Sequence, residues 1–122
     1  MFPFEDVVSS NLRLQPGRNG RLHNAPRYAR ALKRLHEKAQ QQIEGTPRPT
    51  TNRSWRVEIV VCPPDRRRRD ITNLIKIVLD ALEGVVYEDD VMVHDCRITL
   101  ATPSSRRGHV AVRARHMETQ DG

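Results

Sequence analysis

The spacing of hydrophobic and polar positions predicts two amphipathic helices and, between them, a half-buried strand. Helical spacing begins at Pro26 and stops at "GTPRP". Residues 54–62, "SWRVEIVVC", alternate apolar and polar side chains, which is typical of a strand with one buried face. Residues 71–84, "ITNLIKIVLDALEG", carry a second helical stripe that closes with Gly84 in a capping position. The first stripe consists of Tyr28, Leu32, Leu35, Ala39 and Ile43, and the second of Ile71, Leu74, Ile75, Val78, Leu79 and Leu82.

The rest of the chain adds two strands and little other regular structure. "VMVHDCRITLA" and "HVAVRARH" read as strands, and "TPSSRRG" between them predicts a hairpin. Residues 1–25 are turn-rich and basic, with room for short strands only, and we expect residues 117–122 to form a flexible tail. The order of elements predicts one α+β domain over residues 1–122, with a small mixed sheet of about four strands and two main helices.

Composition points to a polyanionic partner. The chain of 122 residues has a formal net charge of +6, and arginine greatly outnumbers lysine, because Lys33, Lys38 and Lys76 are the only lysines. A guanidinium group matches a phosphate bidentately, so this bias favours nucleic acid.

The N-terminus and the cysteines favour a cytoplasmic protein. "MFPFEDVVSS" has no feature of a signal peptide, and no apolar run approaches membrane-spanning length. Cys62 and Cys96 are the only cysteines, and neither lies in a zinc-binding pattern. We expect a buried, reduced pair of thiols and no association with a membrane.

Four consecutive arginines stand between two aspartates in "DRRRRD". Like charges repel one another, so folding alone gives no reason to cluster them. A solvated loop is possible, but a nucleic-acid patch is the favoured interpretation. Its members are Arg66, Arg67, Arg68 and Arg69.

Acidic residues flank the second helix on both sides. Asp70 occupies an N-cap position, with Asn73 three residues on as in a capping box, and Asp90 comes just before the next strand. If the fold brings the two ends together, Asp70 and Asp90 can share a Mg²⁺ ion that binds a phosphate, and the flexible Lys76 can reach that phosphate. The metal would activate water for phosphodiester hydrolysis, since no covalent nucleophile with an evident base is present. Asp80 lies about 15 Å along the helix from Asp70, too far to share that ion, and a structural hydrogen bond is its favoured role.

Residues 63–90, "PPDRRRRDITNLIKIVLDALEGVVYEDD", resemble the RusA type of Holliday junction resolvase. Weaker agreement at "SSN" near Asn11, at "RYAR" and at "HDCRI" extends the resemblance over most of the chain. It implies a small homodimer, in the cytoplasm of a bacterial cell or a phage-infected bacterial host. Such a dimer binds four-way DNA junctions and, with Mg²⁺ or Mn²⁺, nicks two opposing strands symmetrically in DNA recombination and repair.

The resemblance also implies roles for individual residues. Asp70 and Asp90 would be catalytic metal ligands, and Lys76 a catalytic lysine. Possible outer partners of the metal are Thr72, Asn73 and Asp89. Predicted DNA contacts are the four arginines of residues 66–69 and Asn11.

One departure from the family pattern bears on activity. Many members have an aspartate two residues after the first catalytic one, and this chain has Thr72 there. The alternative function is therefore a catalytically weakened or inactive protein that binds branched DNA. An RNA-binding protein is a further alternative, which the basic charge permits but the acidic pair does not explain. On the residues alone, Asp70 can be only a helix cap, Asp89 a turn residue and Lys76 a surface lysine.

Overall fold

A mixed four-stranded sheet and two helices form the body of an α+β fold. The computed structural model describes residues 1–7, 14–16, 22–24, 26–42, 54–103 and 107–117. The helices are α1 (Pro26–Gln42) and α2 (Ile75–Leu82). The strands are β1 (Phe2–Pro3), β2 (Leu14–Pro16), β3 (Leu22–Asn24), β4 (Ser54–Cys62), β5 (Val93–Leu100) and β6 (His109–Met117).

The order of strands in the main sheet is β1-β6-β4-β5. Strand β4 runs parallel to β5 and antiparallel to β6, and β1 is antiparallel to β6. The predicted hairpin between β5 and β6 is therefore wrong, because β4 lies between them. The chain leaves β4, passes through α2 and returns as β5, since two parallel strands require a long crossover rather than a tight turn.

The N-terminal segment contains short strands, as predicted, but it also contributes to the core. Strands β2 and β3 pair antiparallel as a separate two-stranded sheet. Phe2 and Val7 are buried, which the turn-rich composition of this segment did not indicate. Asn11 and Ile43 lie outside the described residues, and so do residues 118–122 of the predicted tail. Met117 ends β6 and pairs with Ser54.

The core lies between the helices and the inner face of the sheet. The alternation predicted for β4 is confirmed, since Trp55, Val57, Ile59 and Val61 are buried while the residues between them, including the apolar Val60, are half-buried or exposed. Helix α2 packs along α1, and both contribute to a single hydrophobic cluster with that face of β4. The buried stripe of α2 includes Ile77 and Ala81, which the predicted stripe omitted, while Ile75 and Leu79 are only half-buried. The polar edge of α2 carries Lys76 and Asp80, which are both half-buried.

The expected burial of the two thiols is wrong. Cys62 is half-buried, Cys96 is exposed, and both are free. Among the described helices, none is long and apolar enough to cross a membrane.

Two of the glycines that the structure describes adopt positive φ, but their surroundings differ. Gly84, just after α2, has φ +82° and would place a Cβ 3.6 Å from His36 Cε1. Gly108, just before β6, has φ +71° and would place a Cβ 2.7 Å from the carbonyl oxygen of Cys62 and 2.8 Å from the nitrogen of Pro64. Only Gly108 thus has backbone atoms in the space that a side chain would fill.

We predict that Gly108→Ala destabilises the protein more than Gly84→Ala. The positive φ alone should cost about 1–2 kcal/mol in Gly84→Ala, and the added clash with backbone should bring the cost in Gly108→Ala to roughly 3 kcal/mol or more. Urea denaturation of the two variants measures the difference. Equal losses of unfolding free energy would show that the close approach at Gly108 does not exist.

Candidate functional site

The turn after α2 folds back onto the helix and carries the acidic segment with it. The Tyr87 hydroxyl donates a hydrogen bond to the carbonyl oxygen of Leu79 at 2.8 Å, and the backbone N–H of Gly84 donates to the carbonyl of Tyr87 at 2.7 Å. Tyr87 is fully buried, and this burial, followed by the nearby charge of Asp90, raises the pKa of its hydroxyl. The hydroxyl therefore remains a donor, and the residues after Tyr87 start from a fixed position beside the end of α2.

Three carboxylates come together at this turn. Asp89 caps a short 3-10 helix, Asp90–Met92, by accepting a hydrogen bond from the N–H of Val91 at 3.0 Å. Glu83 accepts from the N–H of Asp90 at 3.4 Å. Glu83, Asp89 and Asp90 each offer an oxygen within 4.8 Å of the others, and we call them the acidic group. Carboxylate oxygens are ligands that Mg²⁺ prefers, so this group can hold a divalent cation.

Glu83 was missing from the predicted site. The sequence shows it as one glutamate at the end of a helix, seven residues before Asp90, and neither feature indicates a ligand. Only the return of the chain through Tyr87 brings the two together. The sequence signal that was available is Gly84, which ends the helix and permits that return.

Lys76 joins the acidic group to the polar edge of α2. Its ammonium donates to Asp80 Oδ1 at 3.0 Å and to Asp90 Oδ2 at 3.1 Å, although Lys76 and Asp90 are 14 residues apart. Partial burial lowers the pKa of Lys76, but the hydrogen bonds that its ammonium donates to Asp80 and Asp90 outweigh this effect, and the pKa lies above its ordinary value. The lysine is thus a fixed positive charge beside the carboxylate with which it was predicted to act.

Asp80 has the structural hydrogen bond that its position predicted. The hydroxyl of Tyr28, a buried residue of α1, donates to Asp80 Oδ2 at 2.7 Å. Its other oxygen is the one that accepts from Lys76. Asp80 is therefore engaged on both oxygens, one toward the core and one toward the acidic group.

Asp70 is a helix cap, as the capping interpretation predicted. Its Oδ1 accepts from the backbone N–H of Thr72 at 3.2 Å and from the Thr72 hydroxyl at 2.6 Å. Its Oδ2 accepts from the side-chain amide of Asn73 at 3.2 Å, so Asn73 reaches the Asp70 carboxylate rather than its backbone. The cap opens a 3-10 turn, Ile71–Leu74, that packs against β5.

The metal-binding role of Asp70 stays a prediction. Asp70 is exposed and is not a member of the acidic group, whereas Asp90 and Asp89 are. Thr72 and Asn73 both hydrogen-bond to its carboxylate, which is the contact that an outer partner of a ligand makes. The structure thus brings Asp90 to Lys76 and joins Thr72 and Asn73 to Asp70.

The arginine run is organised by the aspartate that precedes it. Asp65 Oδ1 accepts from the backbone N–H of Arg67 at 2.9 Å and from the Arg69 guanidinium at 2.7 Å. The guanidinium of Arg69 also donates to the carbonyl oxygens of Asp65 and Arg67, at 3.1 and 3.0 Å. Hydrogen bonds from the Arg67 backbone and then from the Arg69 side chain hold the pKa of Asp65 below its usual range. We call residues 65–69 the arginine loop.

The four arginines are therefore not equivalent. Arg66, Arg67 and Arg68 are exposed, and the Arg67 side chain retains 80% of its accessible surface. The Arg69 side chain retains only 17%, and its guanidinium lies 4.9 Å from the centre of the Phe4 ring. Three arginines face solvent, while Arg69 anchors the loop to the N-terminal segment. Arg69 and Asn11 as DNA contacts stay predictions.

Comparison with known families gives one finding that bears on this geometry. The family model of the endodeoxyribonuclease RusA matches residues 3–115, a span that includes every predicted site residue. A search of curated proteins gives no match.

We predict that Arg69→Ala lowers stability by about 1–3 kcal/mol, because it removes three hydrogen bonds to the loop and a ring contact. The matched change Arg67→Ala removes an exposed guanidinium of the same size and should change the unfolding free energy by less than about 0.5 kcal/mol. Chemical denaturation of both variants measures the contrast. A loss in Arg67→Ala as large as that in Arg69→Ala would contradict the anchoring role of Arg69.

Proposed function

The chain belongs to the RusA endodeoxyribonuclease family, and on that premise we propose that it resolves Holliday junctions by Mg²⁺-dependent, paired and symmetric phosphodiester hydrolysis in DNA recombination and repair. The observation that carries the proposal is the contact of Lys76 with Asp90 inside the acidic group. A lysine beside clustered carboxylates matches the needs of phosphoryl chemistry, in which carboxylates hold a cation and a lysine meets the phosphate.

The donor set suits magnesium. Its members are all carboxylates, and hard oxygen ligands without sulfur or imidazole favour Mg²⁺, with Mn²⁺ as a substitute. In this proposal Asp90 is the central metal ligand, and Asp89 and Glu83 bind the same ion beside it. Asp70, oriented by Thr72 and Asn73, is the second catalytic carboxylate. A bound ion would supply an activated water and polarise the scissile phosphate.

Lys76 has its own part in the reaction. The ammonium is charged at neutral pH, because lysine ordinarily loses its proton only in strongly alkaline solution and the pKa of Lys76 is raised further. A fixed positive charge next to the acidic group offsets negative charge that develops on the phosphate oxygens during hydrolysis. Asp90 is thus the partner of the lysine without metal and the proposed ligand of the cation.

The arginine loop is the proposed contact with the DNA backbone. Arg66, Arg67 and Arg68 point to solvent as a concentrated positive charge, which suits phosphates and carries no base specificity. Arg69 maintains the conformation of the loop, and only the small exposed part of its side chain would contact DNA. Asn11 is retained as a further proposed contact.

We propose a homodimer as the acting species. A four-way junction has approximate two-fold symmetry, so a two-fold dimer with one site in each subunit can deliver paired nicks in a single binding event. The proposed place of action is the cytoplasm of a bacterial cell or of a phage-infected bacterial host, where branched DNA arises during recombination.

Thr72 supports the second candidate function, a weakened or inactive protein that binds branched DNA. Its hydroxyl is a neutral group that donates to Asp70 at 2.6 Å, in place of a carboxylate that would bring a negative charge. A neutral hydroxyl is a poorer magnesium ligand than a carboxylate. We favour the active enzyme, because the carboxylate of Glu83 adds negative charge beside Asp90.

We predict that the wild type cuts a synthetic four-way junction in Mg²⁺ and that cleavage stops when the metal is chelated. The cleavage rate of Asp90→Asn should be lower than that of the wild type by more than about 100-fold. The amide removes a metal ligand but no phosphate-contacting cation, so junction affinity without metal should stay nearly intact. Cleavage rates across a Mg²⁺ titration test the loss of activity, and a separate measurement of junction affinity without metal tests whether binding is retained. Equal activity of mutant and wild type would remove Asp90 from the site.

Replacing Arg67 and Arg68 with alanine should weaken junction binding and flatten its salt dependence. Each lost phosphate contact reduces the slope of log affinity against log salt by about one, which gives about two for the pair. The charge-matched control is Arg113→Ala with Arg115→Ala, on the face of β6 opposite the core, where we expect no change in slope. An unchanged slope in the Arg67 and Arg68 variant would show that these arginines do not touch the backbone.

Thr72→Asp should lower the Mg²⁺ concentration at half-maximal cleavage, because it adds a carboxylate beside Asp70. Affinity for the junction without metal should stay level or fall slightly from the added repulsion. Thr72→Ser keeps the hydroxyl and serves as the control. If the wild type is inert at every Mg²⁺ and Mn²⁺ concentration and Thr72→Asp cuts, the second candidate function is correct. An unchanged midpoint would show that residue 72 does not face the metal.

A further inference from the structure

A chain of three hydrogen bonds links the core to the acidic group. The Tyr28 hydroxyl lies 2.7 Å from Asp80 Oδ2, Asp80 Oδ1 lies 3.0 Å from Lys76 Nζ, and Lys76 Nζ lies 3.1 Å from Asp90 Oδ2. It joins α1, α2 and the short helix after the turn, and we call it the Tyr28–Asp90 chain. Its two ends differ, since Tyr28 is fully buried and Asp90 is partly exposed.

The buried end of the chain fixes Asp80. The Tyr28 ring is held by the core on all sides, so its hydroxyl has a defined position, and the Asp80 side chain is only 13% exposed. A lysine side chain loses rotamer freedom when it is held in one place, and a solvated ion pair alone holds it weakly. The Asp80 carboxylate is itself held by the hydrogen bond from Tyr28, so it presents a fixed acceptor to Lys76. A fixed acceptor holds the lysine more firmly than a solvated one and offsets more of the lost rotamer freedom.

The exposed end of the chain is the one that changes during the proposed reaction. A cation bound by Asp90 draws on the same carboxylate that now accepts from Lys76, and its charge repels the ammonium. Asp80 is not a member of the acidic group, and its second oxygen is already occupied by Tyr28. Asp80 therefore remains as the partner that can keep Lys76 in place.

We infer that Asp80 and Tyr28 are positioning residues, which hold the Lys76 ammonium beside the reacting phosphate when Asp90 is engaged by the metal. This inference rests on the proposed function, because it assumes a divalent cation at Asp90. Neither residue touches substrate in it. Asp80 acts through Lys76, and Tyr28 acts through Asp80.

The scarcity of lysine makes the position of Lys76 directly measurable. The chain has three lysines, so the ammonium region of a nitrogen-15 NMR spectrum holds few signals, and Lys76→Arg identifies the one that belongs to Lys76. An ammonium held in hydrogen bonds exchanges its protons slowly enough to be seen, whereas a solvated one does not. In the wild type we expect the Lys76 signal both without metal and with saturating Mg²⁺.

The variants separate the two partners of the lysine. In Asp80→Asn, which keeps the size of the side chain but removes its charge, the signal should be lost when Mg²⁺ is added. Tyr28→Phe leaves the charge but frees the carboxylate, and it should give a weaker signal in Mg²⁺ than the wild type. Glu37→Gln, an exposed carboxylate-to-amide change on α1, is the control and should match the wild type. Thermal unfolding of each variant establishes that it is folded.

Cleavage kinetics provide the second readout. Asp80→Asn should lower the single-turnover cleavage rate about 10- to 100-fold while junction affinity stays the same, and Tyr28→Phe should show a smaller loss of the same kind. A purely structural role would lower stability and leave the rate of the folded fraction unchanged.

The two proposals fail in different ways. A wild type that cuts no junction in any metal contradicts the proposed function, and the NMR comparison then decides the placement of Lys76 by itself. An Asp80→Asn protein whose lysine signal in Mg²⁺ matches the wild type, or whose cleavage rate does, overturns the positioning role.

Discussion

The candidate site depends on the return of the chain after α2. Burying a tyrosine hydroxyl is unfavourable unless it finds a partner, and Tyr87 finds one in the carbonyl oxygen of Leu79 near the helix end, which also accepts from the backbone N–H of Glu83. That bond, together with the positive φ of Gly84, turns the chain back along α2. Asp90 then lies against Lys76, and Glu83 lies against Asp90. Without this turn, nothing would bring Asp89 and Asp90 to Lys76 and Glu83, which lie on α2 and at its end.

The negative and positive charges are concentrated at two separate surfaces, the acidic group and the arginine loop, for which we propose different functions. The acidic group concentrates carboxylates where a cation can bind, and Lys76 supplies the positive charge that keeps them from repelling one another in its absence. The arginine loop concentrates positive charge, and Asp65 plays the corresponding part there by binding Arg67 and Arg69. Each place thus contains one residue of opposite sign that lets like charges remain close, and each leaves the majority charge open to its ligand.

The local pattern of the sequence predicted the helices and strands, but not the strand order or the contacts between elements that are distant in the chain. The alternation in β4 and the helical spacing of α1 indicate their structure because each depends on one buried face. The strand order was not predictable in this way, because β5 and β6 follow one another in the chain and only the crossover through α2 places β4 between them. Asp80 was correctly given a structural role from its place on the helix, but its partner Tyr28 is 52 residues away. Glu83 carried no local signal, and Arg69 was grouped with its neighbours although Asp65, four residues earlier, draws it inward.

In the proposed function, a divalent cation binds at Asp90, in the acidic group beside Lys76, and the reaction takes place there. The most direct measurement is anomalous diffraction from crystals of the protein soaked in Mn²⁺, which locates the ion without reference to activity. We expect an anomalous peak within coordination distance of an Asp90 carboxylate oxygen, and we expect it to be absent from crystals of Asp90→Asn grown under the same conditions. A peak that lies elsewhere in the wild type, with the Asp90 carboxylate free of metal, would contradict it.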